Sequence, residues 1–186
     1  GYKMIRATHG VHAGQYYWEL KVLPPLDACS GAHVRVGWST RQGHLQAHVG
    51  FDKWSFGYRD IGGSRCHAGV RDDVYGKPFT EGDVVGCFIQ LDTIDSSRNE
   101  IRFYLNGQDQ GIAYHGEEIA AGVYFPAVSL FNRASVMVNY GPSFIFEHNT
   151  TANAISELQP MAPASRKMHE ELITKLRAEK KDELSH

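Results

Sequence analysis

Two arginines set among aromatic residues are the part of this chain best equipped for recognition chemistry. The stretch HLQAHVGFDKWSFGYRDIGG, residues 44–63, holds Phe51, Trp54, Phe56 and Tyr58, with Arg59 directly behind them. A second arginine, Arg35, lies in AHVRVGWS at 32–39, where alternation puts Val34 and Val36 on one strand face and Arg35 on the other. A guanidinium binds a carboxylate or phosphate through two parallel hydrogen bonds, and aromatic neighbours add rigid contact area at low entropic cost. The pattern predicts a surface for an extended acidic or phosphorylated peptide. Trp54 and Phe56 are expected in the core, and Arg35 and Arg59 at the binding surface.

Other reactive side chains form no recognisable machinery. The ten histidines are scattered, without a His-Glu-x-x-His arrangement or a nucleophilic serine motif, and read as solvated or structural. Cys29, Cys66 and Cys87 lack the paired spacing of metal ligands and read as buried or incidental thiols of a reducing compartment. Asp72-Asp73 and Glu117-Glu118 read as loop solvation. Glu19 and Glu100 fall on strands, and a glycosidase reading would need two such carboxylates facing across a cleft. No glycine-rich phosphate loop is present. A non-enzyme without cofactor or metal is the expectation.

The elements that must position these residues follow from the patterning. At 186 residues with a net charge of -2, the chain suits one medium domain plus a tail and argues against a strongly basic nucleic-acid binder. No apolar run reaches membrane-spanning length, and no membrane partner is expected. No signal peptide opens the chain, which begins mid-pattern. Asn149-Thr150-Thr151 reads as a chance glycosylation match. Lys181-Asp182-Glu183-Leu184 is followed by Ser185 and His186, so a receptor reading a C-terminal tetrapeptide would not engage it.

Up to about Phe146 the sequence reads as short strands. YYWELKV (16–22) alternates, DVVGCFIQLD (83–92) is a continuous apolar run, and VYFPAVSLF (123–131) and SVMVNYG (135–141) complete the set. EIRFYLNGQDQGIAY (100–114) predicts a hairpin turning at Asn106-Gly107. The expected fold is all-β, an antiparallel sandwich over 1–147. A polar, proline-containing linker follows over 148–164, then an amphipathic helix over 165–184. Met168, Leu172, Ile173 and Leu176, at offsets of four, five and eight, line one face of that helix. It is expected either to bind a partner or to fold back on the sandwich.

In order along the chain, GQYYWELKV, VRVGWS, GDVVGCFIQLD, IRFYLNGQDQGIAY, VYFPAVSLF and VNYGP resemble a SPRY (B30.2-like) domain, a bent two-sheet β-sandwich used for protein recognition. GYKMIRATHGV and GHLQAHVGFDKWSFGYRD further resemble one subgroup, the absent-small-or-homeotic-two (Bre-two) subunit of COMPASS/MLL-type histone methyltransferase complexes. The resemblance implies a nuclear, non-catalytic adaptor. It would pair with a WD40-repeat scaffold subunit, stimulate a SET-domain subunit that methylates histone H3 lysine-4, and meet the nucleosome only indirectly.

In that family a basic SPRY pocket grips an acidic, phosphorylatable scaffold segment. The carried-over positions are Tyr2, Arg35, His48, Phe51 and Arg59. The family usually has proline and tyrosine where His48 and Phe51 stand, so this chain loses a hydroxyl and gains an imidazole. A lysine common two residues after the second arginine is Ile61 here, and Arg65 is expected to supply the missing charge. The stripe of Met168, Leu172, Ile173 and Leu176 corresponds to the helix that binds a small Dumpy-thirty-type dimer. The family's long insertion before the hairpin is reduced to TIDSSRN. The alternative expectation is a SPRY substrate-recognition module of a ubiquitin ligase. A lectin-like or glycosidase role is disfavoured by the cysteine usage.

Overall fold

The computed structural model describes residues 1–141 and 144–146. Its strands, in chain order, are β1 (Lys3–Arg6), β2 (Gly14–Leu23), β3 (His33–Ser39), β4 (Ser55–Arg59), β5 (Arg65–His67), β6 (Val70–Asp72), β7 (Val84–Leu91), β8 (Glu100–Leu105), β9 (Gln108–His115), β10 (Phe125–Phe131) and β11 (Ser135–Asn139). They form two antiparallel sheets, one ordered β1-β10-β3-β4-β5-β6 and the other β11-β2-β7-β8-β9. The linker and the helical stripe of Met168, Leu172, Ile173 and Leu176 lie outside the described residues.

Alternation builds the interface between the sheets. Val34, Val36 and Trp38 point inward from β3, Phe56 and Tyr58 from β4, Trp18 and Leu20 from β2, and Ile101 and Phe103 from β8. Trp18 and Trp38 meet edge-to-face across the layers, with centroids 6.4 Å apart, and Tyr58 stacks on Phe103 at 5.2 Å. Burying each such side chain contributes about 1.5–3 kcal/mol, so the aromatic seam is a principal source of stability.

DVVGCFIQLD loses its alternation because both faces of β7 are covered by apolar side chains. Val85, Cys87 and Ile89 face the core, while Phe88 lies in a separate outer cluster with Tyr17 and Tyr104, against which Phe144 packs. The hairpin after β8 turns at Asn106 (φ 49) and Gly107 (φ 80), with Leu105 opposite Gln108, as its Asn-Gly pair requires. β5 and β6 form a further two-residue hairpin through Ala68 and Gly69. Strands of three residues are too short to show a period, which is why they escape a pattern reading.

Glu19 on β2 is fully buried and joins the segment after β11 to the sheet. Its Oε2 accepts from Ile145 N at 2.8 Å and Asn139 Nδ2 at 3.1 Å; its Oε1 accepts from Phe146 N at 3.1 Å and from the Tyr17 hydroxyl at 3.3 Å. Burial, reinforced by the adjacent Glu19 charge, drives the Tyr17 phenol far above its ordinary range, so it remains a donor. Glu100 instead meets Arg102. The register places Glu19 and Glu100 two strands apart and about 13 Å out of step along the sheet, too far for a paired-carboxylate mechanism.

Candidate peptide-binding site

The outer face of the six-stranded sheet carries the two arginines side by side. Arg35 on β3 lies directly opposite Arg59 on β4, and Ser129 on β10 is Arg35's partner on the other flank. Like charges at directly opposed positions repel, with Cβ atoms about 5 Å apart. Among the described residues neither arginine forms an ion pair, although Asp73 feels the Arg59 charge, and Nε of each is buried without a hydrogen bond. Two half-buried guanidinium groups side by side, neither held in an ion pair among the described residues, are a candidate site for an anion.

A loop lying flat on this face brings the other side chains. Gly37 and Gly57 face each other across β3 and β4 and leave the outer surface bare. A Cβ at Gly57 would meet Val49 O at 2.8 Å. The bare surface admits Val49, fully buried with Met4 and Ala127, and its backbone N–H donates to Ser129 Oγ at 3.0 Å. Gly50, at φ +87, turns the loop where any side chain would strike the backbone of Cys66. These contacts set His48 and Phe51 beside the arginines.

His48 Nδ1 lies 2.9 Å from Arg35 Nη1 and 3.0 Å from the Val49 carbonyl oxygen. Arginine can only donate, so Nδ1 carries a lone pair and accepts; that leaves it no proton for Val49. Burial lowers the His48 pKa, and Arg35 and Arg59 lower it further, so the ring is neutral at pH 7. The Arg35 guanidinium lies 5.0 Å over the Tyr2 ring and 3.7 Å from Cys66 Sγ, whose thiol burial holds protonated. Tyr2 meets His48 edge-on at 5.7 Å and Phe131 at 5.1 Å, and Phe51 meets His48 at 5.6 Å.

The structure thus brings together Tyr2, Arg35, His48, Phe51 and Arg59. Phe131, Cys66 and Val49 complete the surroundings and escaped the sequence reading. Phe131 could have been found there, since it lies two positions from Ser129 and shares its face.

Two expectations need correction. Arg65 does not join the arginine pair, because its register opposite Tyr58 turns it to the inner side of the sheet. There it meets Asp72 Oδ2 at 3.0 Å, the Ala113 carbonyl of β9 and the Tyr114 ring at 5.5 Å, bridging the two sheets at their edge. We expect Arg65→Ala to cost about 1 kcal/mol in urea unfolding while leaving anion binding at Arg35 and Arg59 unchanged. A variant that lost binding at unchanged stability would return Arg65 to the pocket. Trp54 is not core either. Phe56 is buried at 1% exposure, but Trp54 precedes β4 and is half-buried, its ring covered by Lys53 Nζ at 4.7 Å.

This sandwich of two antiparallel sheets, with the arginine pair on an outer sheet face, defines the class of fold. Residues 15–143 match the SPRY domain, and the chain belongs to that family. It is 32% identical over 182 residues to the Set1/Ash2 histone methyltransferase complex subunit ASH2 of Drosophila melanogaster, covering 77% of this chain and 32% of that protein. It is 29% identical over 191 residues to the ash-2 subunit of the same name in Caenorhabditis elegans, with 77% of this chain and 33% of that protein covered. A probable ATP-dependent RNA helicase, ddx1, of Dictyostelium discoideum is 34% identical over 137 residues, covering 74% of this chain and 16% of that protein. The chain spans about a third of the length of the two methyltransferase-complex relatives.

Proposed function

We propose that this chain is a non-catalytic adaptor module of a SET-domain histone H3 lysine-4 methyltransferase complex in the nucleus. Its arginine pocket holds an acidic, phosphorylatable segment of the WD40-repeat scaffold subunit. The stripe of Met168, Leu172, Ile173 and Leu176 receives a Dumpy-thirty-type dimer, and the assembly stimulates the SET-domain subunit. The observation that carries the reading is the opposed pair Arg35 and Arg59, half-buried, each with a buried Nε, and in no ion pair among the described residues. The likeness to two ASH2 subunits supports the choice of complex. Isothermal titration of the full chain with an acidic scaffold peptide, at fixed salt, tests it. Absence of heat with phosphorylated and unmodified peptides alike sinks it.

The proposal has a pH signature. In the free protein, burial and the two arginines hold the His48 pKa below 6.5. An anion seated on the arginines favours the imidazolium, so the complex takes up protons relative to the free chain. Affinity for a carboxylate-only peptide therefore rises as pH falls below about 6.5, by roughly threefold between pH 7.5 and 5.5. His48→Gln flattens that profile; identical profiles in the two proteins would place the imidazole outside the site.

A further inference from the structure

The end of the sandwich away from Arg35 holds a cleft of about 1110 Å³ with chemistry of its own. Its lining includes Thr40, Arg41, Lys53, Trp54, Glu118 and Phe125 and shares no residue with the arginine pocket. Thr40 lies five residues beyond Arg35, roughly 16 Å along β3. The volume lies at the upper end of what small-molecule pockets span and is ample for an extended chain segment.

Both cations of the wall sit over aromatic rings. The Arg41 guanidinium lies 5.3 Å from the Phe125 centroid, and Lys53 Nζ lies 4.7 Å from that of Trp54. Neither forms an ion pair among the described residues. The nearby acids are already engaged. Glu118 accepts from the His115 backbone N–H at 3.2 Å, while Asp52 accepts from the backbone N–H groups of His44 and Trp54, each at 2.9 Å. Positive charge is reinforced from behind by Arg6, whose pKa is lowered by burial and then by Arg41. Thr40 is 8% exposed, and its hydroxyl is buried without a hydrogen-bond partner among the described residues. Apolar surface comes from the run at 120–123, where Val123 is 46% exposed.

We propose that this cleft is a second docking site, for an extended peptide that carries an acidic residue beside an aliphatic or aromatic one. The carboxylate is received by Arg41 and Lys53, the apolar side chain rests on Val123 and Trp54, and the Thr40 hydroxyl donates to a peptide carbonyl. A polyanion such as nucleic acid suits the cleft less well, because the Glu118 carboxylate stands in the wall and much of the lining is apolar. With the arginine pocket at a distance, one chain can hold two segments at once.

The test is a nitrogen-15 NMR titration of the full chain with the capped tetrapeptide Asp-Leu-Glu-Phe, reading the Trp54 indole N–H. A saturable shift is expected in the wild type and in Arg35→Ala. The exposed double variant Arg41→Glu, Lys53→Glu should weaken it roughly tenfold or more at an unchanged melting temperature. An equal response to Lys-Leu-Lys-Phe overturns the proposal, as does loss of the Trp54 shift in Arg35→Ala. So does binding of a short oligothymidylate with the tetrapeptide silent, which would make the cleft a nucleic-acid site.

Discussion

Replacing Arg35 or Arg59 by alanine is expected to weaken binding of an acidic scaffold peptide by roughly 1.5 to 3 kcal/mol, about ten- to 150-fold. A charge-assisted contact in a half-buried site supplies that magnitude, and each guanidinium has a buried Nε without a hydrogen-bond partner. Because the two face one another across β3 and β4 and would share one ligand, their effects should not add. Stability should move little. Removing either cation relieves repulsion between opposed like charges, which in Arg35→Ala offsets the lost contacts to His48 and Tyr2, so the free variants melt within a few degrees of the wild type. Lost affinity with retained stability is the signature of a binding residue, and calorimetry at fixed salt with differential scanning separates the two quantities. Unchanged affinity in both variants would remove the pocket.

Glu19→Ala is expected to cost roughly 3 to 4 kcal/mol, lowering the melting temperature by about 6 to 16 °C. The substitution strands the backbone N–H groups of Ile145 and Phe146 and takes an acceptor from Asn139 and Tyr17, all gathered on one buried carboxylate. Glu19→Gln keeps one carbonyl oxygen but offers an amide N–H where backbone donors converge, so it should recover about half of the loss. If the anchor matters locally, hydrogen exchange at Ile145 and Phe146 accelerates in Glu19→Ala beyond the change seen in β7. A melting point within a degree or two of the wild type would show that water satisfies these donors.

Glu19 also marks where reading by pattern ends. On the sequence it is one polar position in an alternating strand, eligible for a catalytic pair with Glu100. The sheet order separates the two, and the return of residues 145–146 over β2 converts Glu19 into an anchor. That contact links positions more than a hundred residues apart, which no local period encodes.

What the sequence by itself determined is whatever alternation and turn chemistry dictate: the antiparallel sandwich, the Asn106-Gly107 hairpin, and Arg35 on the outer face of β3. The side-chain period of two decides a face within each strand without reference to its neighbours. Only the tertiary structure decided which strands lie together. It set Arg59 opposite Arg35, turned Arg65 inward opposite Tyr58, left Trp54 at the sandwich end, and laid Val49 over the bare surface at Gly37 and Gly57 so that His48 and Phe51 reach the arginines. Register and loop packing depend on residues far apart in the chain, and the pocket exists only once those distant segments meet.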